Sequence, residues 1–308
     1  MLRVRRLGCT KVQIGFQSLN DDVLRLNRRG HTVDATRRAV RLLRQAGFKI
    51  HAHWMPNLYG SSPEQDVADY AKLFGDPDFR PDELKICPCS LIESAELMKH
   101  YRDGLWRPYT HDELLDVLVE CFRLTPEYRL TRVIRRHPRH GHRDRQPPDQ
   151  FPPDCRGRAG EARRAQPRHP RPRSPLPQRD ARRPASGRAA LQSSSGEEIF
   201  LQFITAEREI AGFLRLSLPS AAPITDELAG AAVIREVHVY GQAVEIGEAT
   251  DGRAQHAGLG TRLIERAADI ARERGYARLA VISAVGTREY YRKRGFADGE
   301  LYQVQELD

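Results

Sequence analysis

Between His137 and Gln192 the chain carries 14 arginines and 11 prolines but only three large apolar side chains, Phe151, Leu176 and Leu191. A stretch of that composition cannot bury enough apolar surface to offset the conformational entropy of ordering it. It is therefore expected to be disordered, and no single core can run through it. The chain is expected to fold in two parts, 1–136 and 196–308, with 137–195 as a basic Arg/Pro-rich segment between them. That segment holds 5 acidic residues, so it accounts for close to the whole formal charge of +9. The surplus looks like a nucleic-acid footprint. Its location means that it does not show a basic face on either folded part. Two readings of the segment differ in kind. One is a basic linker that touches RNA phosphates. The other, which we prefer, is a segment read out of frame between two in-frame ones, because Arg, Pro, Ala, Gly and His are what GC-rich codons yield in the wrong frame.

A length of 308 residues leaves room for two domains with their own cores. No apolar run approaches the ~18–20 residues needed to cross a bilayer. The basic N-terminus is followed by neither an apolar signal region nor a small-residue cleavage site, and a cytoplasmic location is expected. The five cysteines, Cys9, Cys87, Cys89, Cys121 and Cys155, are odd in number and scattered, which argues for a reducing compartment. No C-x-x-C pair exists, so spacing gives neither a zinc ribbon nor a cysteine-ligated cluster. Cys87 and Cys89 read as one buried thiol and one incidental one.

The first part reads as strand–helix alternation. Val12, Ile14 and Phe16 alternate with polar or small residues, as in a half-buried strand. A helix begins near Thr32, buries Ala35, Ala39, Val40 and Leu43, and stops at Gly47. Phe48–Trp54 is the next strand. Ser62-Pro63-Glu64 opens another helix, Leu84–Ile86 is a short strand, and His111–Phe122 is an apolar-periodic helix. This order implies a parallel sheet with crossover helices. Only about three strands are present, too few to close a barrel. The last part is a compact α/β domain. Glu198–Phe203 and Glu209–Leu218 alternate like hairpin strands, and Ala232–Tyr240 is a long strand. Gly260–Arg274 is an amphipathic helix, Leu279–Ser283 a buried strand, and Thr287–Arg294 a short helix ended by Gly295.

The stretch Gln255-His256-Ala257-Gly258-Leu259-Gly260-Thr261 lies between a strand and an amphipathic helix. Outward-pointing N–H groups at a helix N-terminus, the helix dipole and close-approach glycines together make an anion site. The motif resembles the pyrophosphate loop Q/R-x-x-G-x-G/A of the GNAT acetyltransferases, in which coenzyme A supplies the anion. The alternative is a tight turn that needs two glycines. Downstream, Tyr290 and Tyr291 fall where a GNAT tyrosine hydrogen-bonds a departing thiolate. Their alternative is core packing with the hydroxyl tied to backbone. For such a pair, one packing and one facing the cofactor is expected.

Further blocks carry a wider resemblance. They are Ile234–Gly241, Gln255–Gly258, Ala280–Ser283 and Gly286–Lys293, with Ile14–Ser18, Arg29–Val33, His53–Pro56, Pro77–Pro81, Leu84–Ile86 and Arg107–Thr110 upstream. Over roughly residues 7–136 and 196–308 the chain resembles the catalytic subunit of Elongator, a radical-SAM barrel fused to a GNAT domain. The resemblance implies a partial radical-SAM (β/α) barrel, then the disordered segment, then a C-terminal GNAT α+β domain. It also implies an acetyl-CoA-dependent formation of 5-carboxymethyluridine at the tRNA wobble position, with tRNA as partner and substrate. Acetyl-CoA would meet Glu236, Val237, His238 and Val239 on the long strand, Gln255, Gly258, Leu259, Gly260 and Thr261 at the loop, and Tyr291. Tyr290 and Tyr291 are the catalytic candidates. Gln17 and His53 would face the cavity for S-adenosylmethionine.

The family also uses a 4Fe-4S cluster, whose cysteine triplet is expected upstream of Met1, so this chain reads as a truncated copy with doubtful radical chemistry of its own. Cys87 stands where the family usually has tyrosine. Two other readings compete with the family one. A free-standing GNAT N-acetyltransferase would need a general base, for which Glu236 and His238 are the available groups. A non-catalytic acetyl-CoA or tRNA binder would need none.

Overall fold

The computed structural model describes residues 1–127, 129–133, 185–205, 209–240 and 258–308. The chain divides into two compact units. One takes in residues 13–39 and 50–167, the other residues 1–12, 40–49 and 168–308.

A four-stranded sheet contains Lys11–Gln17 (β1), Lys49–Trp54 (β2), Glu83–Ile86 (β3) and Leu130–Val133 (β4), in that spatial order. The pairs β2–β3 and β3–β4 are parallel, with Trp54 opposite Ile86 and Ile86 opposite Val133. Parallel neighbours require crossover segments, and the helices supply them. Leu2–Arg6 (α1) precedes β1, and the crossovers hold Asp21–Leu26 (α2), Val33–Gln45 (α3), Pro63–Gly75 (α4), Leu97–Arg102 (α5) and His111–Leu124 (α6). Ile50, Ala52 and Trp54 of β2 are buried while Lys49, His51 and His53 are half-buried on the other face, the period of two that the sequence announced. Ser62 caps α4 by accepting from the Gln65 N–H, and Thr110 with Glu113 forms a capping box on α6. Such caps contribute about 1 kcal/mol each.

The fourth strand is a correction to the three expected. β4 has only four residues, and its pairing depends on a distant partner. The Arg129 guanidinium beside it bonds Asp82 Oδ1 at 2.9 Å, with both side chains fully buried, and Asp82 Oδ2 accepts the Ile50 N–H at 2.8 Å. Nothing local in the sequence signals that anchor.

The second unit holds a seven-stranded sheet. Its strands are Ala185–Ser193 (β5), Gly196–Ile204 (β6), Ile210–Pro219 (β7), Ala231–Val239 (β8), Arg278–Val281 (β9), Ala297–Asp298 (β10) and Gln303–Glu306 (β11), in the spatial order β10-β11-β9-β8-β7-β6-β5. Every pair is antiparallel except β8–β9. Helices Leu259–Glu273 (α7) and Arg288–Arg292 (α8) complete the unit. Leu263, Ile264, Ala267, Ile270 and Ala271 of α7 pack with Ile199, Leu201, Leu214, Leu216 and Ile234 of the sheet. β7 is buried on both faces, as a central strand should be when both sides of its sheet are covered. Leu214 and Leu216 join the core under α7. Arg215 alternates with them and bonds Glu236 on the opposite face.

β5 differs from expectation, since it lies inside the stretch 137–195 read as disordered. Its burial alternates along Gly187, Ala189 and Leu191, and it pairs with β6 from Ala185↔Ile204 to Ser193↔Gly196. Small residues at an edge need little apolar surface, because the neighbouring strand supplies the backbone partners. The remainder of that stretch, 137–184, with its frameshift and linker readings and Cys155, lies outside the described residues.

Candidate functional site

The parallel pairing of β8 with β9 runs from Ala231↔Arg278 to Ile234↔Val281 and is closed by the Ile282 N–H bonding to Ile234 O at 3.2 Å. β8 continues to Val239 paired with β7. On the β7 side, Arg215 faces Glu236 and Leu216 faces Ile234, so Arg235 is the extra residue of a β-bulge. The bulge and the end of the β8–β9 pairing coincide. A bulge bends its strand and strengthens the local twist, and past Ile234 β8 pairs with β7 and no longer with β9, the arrangement from which a cleft between β8 and β9 is read.

The N-terminus of α7 meets this cleft. Its first residues follow Gly258, and no side-chain cap closes it among the described residues. The first N–H groups of a helix have no intrahelical acceptor, and a 15-residue helix places partial positive charge there. Gly260 is wedged between the two walls. A Cβ built on it would lie 2.3 Å from Tyr290 Oη and 3.6 Å from Val239 Cγ2. Arg294 completes the arrangement. Its Nε and Nη2 donate to Thr261 Oγ1 at 3.1 and 2.8 Å, its Nη1 donates to Tyr290 O at 2.7 Å, and it lies 3.5 Å over the Tyr290 ring. Burial pushes the Tyr290 phenol above its usual range, against smaller opposing effects of Arg294 and Thr261, so the group is a neutral hydrogen-bond donor at neutral pH.

The structure thus brings Val239, Gly258, Leu259, Gly260, Thr261 and Tyr290 together. Tyr291 sits deeper, 7% exposed in the core and packed edge-on against Phe296, and its phenol is also raised by burial. Val237 is partly buried against the same core. His238 is on the exposed side of β8, its ring 4.5 Å from that of Tyr240 and 5.8 Å from that of Phe213. Glu236 bonds Lys49 Nζ and accepts from Arg215 Nε at 3.2 Å. Gln255, with His256 and Ala257, lies outside the described residues. Arg294 went unrecognised in the sequence because it reads there as one cation in an Arg-Lys-Arg run.

In the other unit, Gln17 ends β1 with φ of 65°, a strained setting for a residue with a Cβ. Gln17 Oε1 and His53 Nε2 are both buried with no hydrogen-bond partner among the described residues. Burial, and then Lys85, holds the His53 imidazole below its usual range, which favours the neutral ring. Burial raises the thiols of Cys87 and Cys89, the latter to about 11, so both stay protonated at neutral pH. Among the described residues no group of three or more His, Cys, Asp or Glu side chains could hold a metal ion, so these residues do not fit an iron–sulfur cluster. No described helix is long and apolar enough to cross a membrane.

Comparison with known proteins gives three family matches. Residues 1–73 match the Radical SAM superfamily, 81–165 the Radical_SAM C-terminal domain, and 166–296 the acetyltransferase (GNAT) family. A tRNA uridine(34) acetyltransferase of Dehalococcoides mccartyi is 36% identical over 326 residues, covering 99% of this chain and 68% of that protein. Elongator complex protein 3 of Danio rerio is 35% identical over 97% of this chain and 56% of its own length, so the chain spans little more than half of such relatives. The structure of Methanocaldococcus infernus Elp3 with an N-terminal deletion matches with a TM-score of 0.80 at 30% identity, over 99% of this chain and 74% of that one.

Proposed function

The chain belongs to the family of tRNA uridine(34) acetyltransferases and Elongator complex protein 3, and from that premise we propose that it binds acetyl-CoA and serves carboxymethylation of the wobble uridine of tRNA. The observation that carries the reading is the meeting of Gly260, Thr261, Tyr290 and Val239 where β8 parts from β9. Bound acetyl-CoA would supply an acetyl group activated as a thioester. Backbone N–H groups of Leu259, Gly260 and Thr261 would hold its pyrophosphate, for which the glycines leave room. Val237 and Val239 would line the path of its arm. The neutral Tyr290 phenol would hold a proton at Oη for a departing thiolate, with Arg294 fixing the ring.

Gln17 and His53 would meet S-adenosylmethionine through polar atoms that have no hydrogen-bond partner among the described residues. A free-standing N-acetyltransferase is disfavoured, because both oxygens of Glu236 are engaged by Lys49 and Arg215 and the carboxylate is not poised to take a proton from an amine. The reading further implies tRNA as partner and the cytoplasm as site of action.

Hydrolysis of radiolabelled acetyl-CoA, followed with and without tRNA, tests the proposal. Release of acetate that rises with tRNA and falls in Tyr290→Phe is expected. Release indifferent to both would overturn it.

A further inference from the structure

The face of the seven-stranded sheet opposite α7 carries charge, and residues 40–49 of the same unit meet it there. Four contacts run in step along the chain. A Cβ on Gly47 (φ 74°) would lie 3.1 Å from Val233 Cγ1, so its backbone rests on β8. The Ala46 carbonyl accepts from Tyr302 Oη at 2.9 Å. The Phe48 carbonyl accepts from Arg235 Nη2 at 2.6 Å. Lys49 Nζ bonds Glu236. Arg235 also bonds Glu198 through Nη1, and Arg44 Nη1 bonds the same carboxylate at 3.0 Å, with all three side chains 1% exposed. Arg215 ties Glu236 into the group at 3.2 Å.

Arg235 is the bulge residue at which β8 leaves β9. A bulged residue is unpaired on its own ladder, so its conformation must be fixed by something else. Here its guanidinium is fixed by a carbonyl at residue 48 and a carboxylate at residue 198, in a dry setting where charge-assisted bonds are strong and directional.

We infer that Arg235 is a positioning residue for the acetyl-CoA cleft: by bonding Phe48 O and Glu198 it holds the bulge that parts β8 from β9. Affinity for acetyl-CoA is then set by residues 46–49, nearly two hundred positions upstream in sequence, as well as by the loop at 258–261. Arg44 has a different place. Its bond is to the Glu198 carboxylate, the acceptor that it shares with Arg235, so Arg44→Met removes one cation from the cluster and keeps Arg235 in place as the comparison. The inference rests on the reading of the cleft as an acetyl-CoA site.

The test titrates acetyl-CoA into the full chain by calorimetry and records melting temperatures, for the parent and for Arg235→Met, Arg235→Lys and Arg44→Met. In the parent, absence of binding would defeat the reading of the cleft itself. Given binding in the parent, Arg235→Met should raise Kd about tenfold or more, and Arg235→Lys, which keeps one of the two bonds, should recover part of that loss. Arg44→Met should lower the melting temperature yet leave Kd within about twofold. If Arg235→Met does not fold, Arg235→Lys and Lys49→Met, at a less buried position, carry the test, each expected to raise Kd severalfold. Equal losses of affinity in the Arg235 and Arg44 variants, or unchanged affinity in the Arg235 variants, would reduce the cluster to a packing role and overturn the inference.

Discussion

The guanidinium of Arg294 stacks 3.5 Å over the ring of Tyr290 while its Nε and Nη2 hold the hydroxyl of Thr261, so one side chain braces the start of α7 against α8. Arg294→Leu is expected to weaken acetyl-CoA binding about tenfold, because ring and helix start lose their common brace. Melting temperature should change little, since the side chain is only half-buried. Calorimetry beside thermal melts checks both halves; a large loss of stability with intact affinity would contradict it.

Gly260 and Tyr290 should be coupled. A methyl group at 260 would meet Tyr290 Oη at 2.3 Å but the ring Cζ at 3.5 Å, an ordinary contact. Gly260→Ala alone should therefore displace the phenol and lower turnover. In a Tyr290→Phe background the same substitution should cost little more than Tyr290→Phe itself. A double-mutant cycle in acetate release measures this coupling, and simple additivity would refute it.

These two relationships show what was legible in the sequence. The glycine-flanked start of α7, the strand before it and the amphipathic helix itself are local signals, and the cap at Ser62 was visible for the same reason. Which ring of Tyr290-Tyr291 packs was not legible, because it depends on Phe296 and on the first turn of α7. β4 escaped notice because its partner strand is distant and its own residues are few, and β5 because its residues are small and carry little apolar pattern. The grouping of residues 1–12 and 40–49 with the C-terminal sheet is non-local in the same way, and no periodicity encodes it.

Arg5 gives that grouping a stability test. Buried to 1%, it donates from Nε to Leu301 O and from Nη2 to Ser283 O, both at 2.7 Å. Arg5→Met should leave those carbonyls without a donor and lower unfolding free energy by about 2–4 kcal/mol. Urea unfolding of the full chain reads this. A change within about 0.5 kcal/mol would mean that the N-terminal helix adds nothing to the unit.

Asp66 predicts a pH dependence. Burial raises its carboxyl, outweighing bonds from Ser61 Oγ and the Asn57 N–H at 2.6 Å and from Tyr109 Oη at 2.8 Å. A folded-state value above the unfolded one means that its stabilising contribution is full below the unfolded value, about 3.9, and is lost as pH rises through the folded value. Asp66→Asn cannot ionise, so its stability relative to the parent should improve as pH rises from about 4 to 7. Urea midpoints across that range decide it, and a relative improvement toward acid would contradict the sign.

The proposed acetyl-CoA site is formed by β8, α7 and α8 around Gly260. Its most direct test is calorimetric titration of acetyl-CoA into the purified full chain and into Gly260→Asp, which puts a carboxylate where the pyrophosphate would lie. Saturable micromolar binding, competed by coenzyme A and abolished in Gly260→Asp with the fold retained, is the predicted result. No binding to the parent, or binding indifferent to the added carboxylate, would contradict the account.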